Sequence, residues 1–292
     1  MKTMAELFKA LRPQQWIKNL FIFAPLIFSQ NIFNRALVVR SVLAFVAFCL
    51  VSSAHYLFND LRDLEEDRLH PVKRNRPLAA GRLKKGAAVA ALSILGPAGL
   101  LIAAAINLNF FLVTVAYLAL QVAYSLRLKH VVILDVFVVA AGFLIRVVAG
   151  GLAIQVFLSS WLLICTTLLA LFLAMGKRRH ELVILDQNAS SHRPILREYN
   201  IYLLDQMISV VTASTLVAYC LYTISDETVT KFGTRNLIFT VPFVLYGIFR
   251  YLYLIHQKTE GGTPETLILK DKPLLVDLFL WVAAAAVILN AR

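Results

Sequence analysis

Long apolar runs separated by short polar stretches make up most of this chain. Nine runs have roughly the length that crosses a bilayer: near 19–34, 37–58, 87–106, 110–126, 131–150, 158–176, 201–224, 236–256 and 273–290. The first is short and carries Pro25, which a membrane tolerates only where neighbouring helices cover the freed backbone. Ahead of it, residues 1–18 are polar and basic, with Leu7, Phe8, Leu11 and Trp16 spaced as the apolar side of a short interfacial helix. The pattern predicts an all-α, polytopic membrane bundle of about nine helices. It reads as a single domain over 1–292, with polar loops at 59–86, 125–131, 177–200 and 257–272. A motif of span, charged loop and span recurs, without the identity that would make it a repeat.

Composition sharpens this picture. The chain is 59% hydrophobic with a mean hydropathy of +0.73, far above a soluble domain. The basic segment before the first run has no small-residue cleavage site after it, so no cleaved signal peptide is expected. Cys49, Cys165 and Cys220 sit inside apolar runs and read as buried small hydrophobes. The net charge of +12 might suggest nucleic acid, but its distribution excludes that partner. Lys and Arg gather in alternate loops: Lys2, Lys9, Arg12 and Lys18; Arg62 to Lys85; Arg127 and Lys129; Lys177 to Arg179 with Arg193 and Arg197; then Lys258, Lys270 and Lys272. The other side keeps Arg35, Arg40, Lys231, Arg235 and Arg292. The imbalance places the N-terminus in the cytoplasm of a multi-pass cell-membrane protein and the C-terminus outside. Anionic substrates and lipid headgroups are the expected partners, and a homo-oligomer is compatible with the pattern.

Every polar motif then falls on the cytoplasmic side. Asn59 to Arg68 holds five of the chain's 17 acidic residues. On a continuous helix Asp60, Asp63 and Asp67 share one face, a grouping that suits a hard cation such as Mg²⁺ bridging to a phosphate. Lys73 and Arg76 follow in the same loop, placed to hold a diphosphate from the other flank. A second motif, Tyr124-Ser125-Leu126-Arg127-Leu128-Lys129, ends the fourth run, with Asp135 just inside the fifth. Tyr124 reads either as a belt aromatic or as a pocket residue, and Lys129 as a phosphate contact. A third stretch is Gly176-Lys177-Arg178-Arg179-His180-Glu181. Arg146 and Arg250 lie within runs. Arg146 faces either a polar network or the site, and Arg250 is near enough to the end to snorkel.

The pattern Asn59-Asp60-x-x-Asp63-x-x-x-Asp67, with Lys73 and Arg76-Pro77-Leu78 downstream, resembles the first aspartate-rich motif of the UbiA superfamily of intramembrane prenyltransferases. The resemblance implies that Asn59, Asp60, Asp63 and Asp67 hold Mg²⁺ and through it a diphosphate. In that superfamily a second acidic cluster follows the sixth span; here only Glu181 survives among Lys177, Arg178 and Arg179. The exchange resembles one branch, the decaprenyl-phosphate phosphoribosyltransferases of cell-wall arabinan precursor synthesis. Arg12-Pro13-x-Gln15-Trp16-x-Lys18-Asn19, Leu144-Ile145-Arg146-x-x-Ala149-Gly150-Gly151 and the stretch from Gly261 to Asp271 are similar to it too.

That branch implies transfer of phosphoribosyl from phosphoribosyl diphosphate to a polyprenyl phosphate. Asp60, Asp63, Asp67, Lys73 and Lys177 are its expected catalytic residues. Substrate contacts fall to Lys18, Asn59, Lys73, Arg76, Tyr124, Ser125, Lys129, Arg146, Lys177, Arg178 and Glu181. Two other readings stand beside it: a prenyltransferase acting on an aromatic or other small acceptor, and a non-catalytic lipid-binding or transport protein. The second would place polar residues at mid-bilayer in broken helices, whereas here they cluster at one surface.

Overall fold

A computed structural model describes residues 2–69, 73–185, 194–258, Leu267 and 270–290. The remainder, including His70 to Val72 and most of the stretch from Gly261 to Leu269, lies outside the described residues. Among the described residues the protein is helical, without strands, and eight helices are long and apolar enough to cross a membrane. The helices are α1 (Lys2–Ala10), α2 (Ala24–Phe28), α3 (Arg35–Arg62), α4 (Leu64–Leu69), α5 (Lys85–Ile106) and α6 (Leu108–Leu126). They continue with α7 (Leu134–Ile154), α8 (Ser160–Leu185), α9 (Ile201–Ile224), α10 (Asp226–Phe232), α11 (Val241–Gln257) and α12 (Lys272–Asn290).

The first expected span differs from the sequence reading. Pro13–Phe23 is a 3₁₀ helix that runs into the short α2, and it is not among the eight spanning helices. Pro13 and Pro25 each remove a backbone donor, and the fully buried Asn19 lies between them. A 3₁₀ rise of about 2.0 Å per residue still lets Pro13–Phe28 cover about 30 Å, the hydrocarbon thickness. The interfacial helix is also shorter than residues 1–18. It ends at Ala10, and Arg12 takes a left-handed conformation at φ 55°.

The chain divides into two compact units. In the unit of Met1–Val131 with Ala141–Leu158, the core is Ile22, Ala44, Phe48, Val51, Ala103, Phe110, Tyr117 and Ala149. Small residues let backbones approach, as membrane helix contacts require. A Cβ on Gly99 of α5 would meet Val51 Cγ2 of α3 at 2.7 Å, and one on Gly150 of α7 would lie 2.1 Å from the Ile22 carbonyl oxygen. Asn34 caps α3 by accepting from the Ala36 and Leu37 amides. Asn107 caps α6 by accepting from Phe110 N–H at 2.8 Å, and its amide donates to Leu152 O at 2.9 Å. A second cluster of Ala10, Leu57, Leu64, Leu78 and Leu83 packs the end of α1 against the α3–α4 junction.

In the unit of Val132–Ala140 with Ser159–Arg292, α8 packs along α9 and α11 along α12. The Phe172 and Tyr251 rings meet edge to face at 5.0 Å, and Gly176 leaves room for the latter. Trp281 of α12 donates to the Tyr219 hydroxyl at 2.8 Å, within hydrogen-bond reach of Thr240. Residues 177–185, expected in a loop, instead continue α8. Of the three cysteines, Cys49 is buried, Cys165 and Cys220 are half-buried, and all are free thiols.

Candidate active site

The acidic stretch is not one straight helix. α3 stops at Arg62, Asp63 sits at φ −90°, ψ 17°, and α4 starts at Leu64. Asp63 N–H still bonds Asn59 O and Asp67 N–H bonds Asp63 O, both at 2.8 Å, so the chain bends without reversing. At the bend Leu64 packs with Ala10, Leu57, Leu78 and Leu83, and Asp60 and Asp67 are only 2% and 1% exposed. It corrects the expectation of three carboxylates on one continuous face.

Asp60 and Asp67 converge on Arg76, whose Nη1 lies 3.1 Å from Asp60 Oδ1 and 2.6 Å from Asp67 Oδ2. Arg12 also donates to Asp60 Oδ1. Lys73 Nζ stands 3.8 Å from Asp67 Oδ1. One oxygen of each acid, Asp60 Oδ2 and Asp67 Oδ1, is buried without a hydrogen bond among the described residues. Such atoms cost free energy unless something positive or a donor reaches them. Burial lowers the Arg12 pKa from its ordinary value, against the pull of Asp60.

Asp63 turns to other partners, with Arg62 Nε at 3.0 Å and Lys129 Nζ at 3.7 Å. Asn59 is likewise engaged: the Ser125 hydroxyl donates to its Oδ1 at 2.5 Å, and its Nδ2 lies 2.9 Å from His55 Nε2. Arg62 donates to the Ser125 carbonyl, which closes the stitching of α3 to the end of α6. Tyr124 precedes Ser125 on α6. Among the described residues no three His, Cys, Asp or Glu side chains stand as a ready metal cage. Beside His55 an apolar cleft of about 270 Å³ opens between α3, α5 and α6, lined by Phe58, Leu92, Pro97 and Leu118 among others.

The unit thus brings together Asn59, Asp60, Asp63, Asp67, Lys73, Arg76, Ser125 and Lys129 of the expected residues. Arg146 goes elsewhere. It is 5% exposed and donates to Asn19 Oδ1 at 2.8 Å, to Gly142 O at 2.6 Å and to the Tyr117 hydroxyl at 2.7 Å. Asn19 in turn reaches Cys49 Sγ and Ser52 Oγ, both at 3.3 Å. That network ties the 3₁₀ segment to α3, α6 and α7. Lys18 lies beside it in the same segment.

The basic motif sits in the other unit, and both of its arginines are paired with acids. Arg178 donates to Asp135 Oδ2 at 2.6 Å and to Glu181 Oε2 at 2.7 Å. The Tyr199 hydroxyl donates to Asp135 Oδ1 at 2.6 Å and accepts from Ile133 N–H at 2.7 Å. Burial first, then that bond to a carboxylate, pushes the Tyr199 phenol above its ordinary range, so it stays a neutral donor. Arg179 pairs with Asp205 at 2.6 Å, beside His256. Lys177 is half-buried on α8.

Sequence reasoning missed Arg12 and Arg62 as parts of the acid cluster, having assigned their charges to topology. An arginine directly before a proline, at the end of an amphipathic run, was the available signal for Arg12.

Together, the apolar spanning helices and the buried carboxylate pair ringed by arginine and lysine define a class: helical membrane proteins with a charged cluster at the ends of their helices. The chain belongs to the UbiA prenyltransferase family, whose model matches residues 20–282. It is 37% identical over 287 residues to the decaprenyl-phosphate phosphoribosyltransferase of Mycolicibacterium smegmatis, covering 94% of this chain and 90% of that protein. The enzyme of the same name from Corynebacterium glutamicum is 36% identical over 285 residues, covering 94% and 83%. A UbiA homolog from Archaeoglobus fulgidus, solved bound to GPP and Mg²⁺, superposes with a TM-score of 0.73 at 19% identity, over 98% of this chain and 99% of that one. The last likeness speaks for the fold.

Proposed function

We propose that the protein transfers the 5-phosphoribosyl group of phosphoribosyl diphosphate to a decaprenyl-type polyprenyl monophosphate, releasing diphosphate, at the cytoplasmic face of the cell membrane. In cell-wall arabinan precursor synthesis that product is the phosphoribosylated lipid. The observation that carries the reading is the Asp60–Asp67 pair, two buried acids each with an oxygen that makes no hydrogen bond among the described residues, ringed by Arg12, Lys73 and Arg76. The choice of donor is supported by the relatives' shared name and by the basic Lys177-Arg178 where acids are usual.

Asp60 Oδ2 and Asp67 Oδ1 fit Mg²⁺, which proteins usually hold through one or two carboxylates, leaving other positions to water and substrate phosphate. Bound there, Mg²⁺ would offset charge on the departing diphosphate. Asn59 and Asp63 join that set only by releasing Ser125 and Lys129. Lys73 and Arg76 are placed for the diphosphate oxygens. Arg178, already engaged by Asp135 and Glu181, holds the end of α8; the lipid-phosphate contact proposed for Lys177 rests on its place in the basic motif. The bond from ribose C1 to the diphosphate oxygen breaks, and a lipid phosphate oxygen bonds C1. That oxygen is already ionised at neutral pH, so no general base is required. The cleft beside His55 offers the isoprenoid chain an apolar berth.

Purified protein in detergent should move label from phosphoribosyl diphosphate into a butanol-extractable lipid, dependent on Mg²⁺ and polyprenyl phosphate. Transfer from a labelled prenyl diphosphate to an aromatic acid, with no transfer from phosphoribosyl diphosphate, would sink the reading.

A further inference from the structure

Arg12 combines three observations that the proposed reaction leaves unexplained. Its backbone is left-handed, at φ 55° and ψ 60°, although it is not glycine and precedes Pro13. The segment around it is pinned: the Ser53 hydroxyl donates to Leu11 O at 3.0 Å, and the Trp16 indole N–H donates to the same hydroxyl at 3.0 Å. Its guanidinium pairs with Asp60 and lies 5.0 Å from the centre of the Tyr56 ring. Strain of this kind persists only where the surroundings impose it, and it gathers at functional sites.

The charges explain what it is for. Asp60 and Asp67 carry two negative charges, and Arg12, Arg76 and Lys73 set three positive ones against them, both arginines on the same oxygen, Asp60 Oδ1. The acids are fully countered without a ligand. A divalent cation added alone leaves a buried excess of positive charge, which the low dielectric makes costly. A diphosphate added with it absorbs that excess and takes up the guanidinium that the metal's charge repels. Arg12 is the more easily released of the two, since Arg76 grips both acids while Arg12 grips one.

We propose that Arg12 is a built-in counter-ion that holds Asp60 until ligands arrive and then passes to the phosphate, so that divalent metal and diphosphate bind with positive coupling through this residue. The inference rests on the metal–diphosphate reading of the site and adds a residue and a binding linkage to it. Linkage is reciprocal, so each ligand should tighten the other by the same factor.

The test is equilibrium binding of Mn²⁺, read by electron paramagnetic resonance, to the full-length protein with and without inorganic diphosphate. Wild type should bind Mn²⁺ weakly alone and about tenfold more tightly with diphosphate, within the usual range for coupled sites. Arg12→Gln should bind Mn²⁺ alone more tightly than wild type, because the competing cation is gone, and should lose most of the coupling. A merely structural arginine would weaken both, and that result, or unchanged coupling, overturns the inference. If Arg12→Gln does not fold, Arg12→Lys serves: one ammonium contact in place of a fork should lower the coupling about threefold, and coupling equal to wild type overturns the proposal. Wild type showing no diphosphate-dependent Mn²⁺ binding would remove the metal–diphosphate reading itself, whatever Arg12 does.

Discussion

Arg178 and Lys177 are neighbours to which the proposed reaction gives different tasks. Arg178 is 3% exposed and faces Asp135, which is fully buried, so removing it strands a charge in the interior. Stranding one partner of a buried pair costs about 3–5 kcal/mol. Arg178→Ala should therefore lower the melting temperature sharply in a detergent thermal-shift assay. Lys177→Gln should lower that temperature by less than Arg178→Ala does while slowing transfer by about tenfold, the scale of one lost charged contact. Equal thermal losses for the two would refute the division of labour. At this scale the sequence was a good guide to residue type and a poor one to partner. The acids, Lys73, Arg76, Ser125 and Lys129 were legible because polar groups between apolar runs stand out. That Arg178 would be neutralised by Asp135, 43 positions away, was not, because only the folded chain brings the first turn of α7 beside the end of α8. Arg146 shows the same limit: its charge was visible in the run, whereas Asn19 and Tyr117 as its partners were not.

Elements here are joined through missing side chains. The close approach of Ile22 to Gly150 leaves no space for a methyl group: the added Cβ would lie 2.1 Å from one backbone atom and 2.9 Å from the next. Backbone cannot yield as a side-chain tip can. Gly150→Ala should destabilise by about 1–3 kcal/mol or more, read as a lower melting temperature and faster proteolysis. Gly86→Ala, near the start of α5 with nothing within 4 Å of its Cβ, is the matched control and should be neutral or slightly stabilising. Apolar periodicity alone placed the later helices well, since each is a long run ended by polar residues. It failed at Pro13–Phe28, where two prolines and a buried amide force tighter turns than the hydropathy suggests, and at residues 177–185, where charge was mistaken for a loop although α8 continues.

For the molecule as a whole, the same proline-bearing segment decides the topology. Eight spanning helices put both termini on one side, and a crossing by Pro13–Phe28 puts them on opposite sides. The distribution of Lys and Arg predicts an N-terminus in the cytoplasm and a C-terminus outside. Alkaline phosphatase fused after residue 292 should then be active, and green fluorescent protein at the same place dark. The reverse pattern would mean that the segment turns back without crossing. The resemblance to the UbiA family was carried by the stretch from Asn59 to Asp67 with Lys73 and Arg76-Pro77-Leu78 downstream, and the family match bears it out.

The bend at Asp63 has one further consequence. Asp60 and Asp67 meet on a single guanidinium because the turns between them bring both acids to the same side, and each residue of helix contributes about 100° of rotation. Exchanging a side chain between them leaves that phase intact. Removing or inserting one residue swings Asp67 away from Arg76 and takes its bare oxygen with it. What brings the two acids together is a count of residues, which a substitution between them keeps and a deletion or insertion breaks.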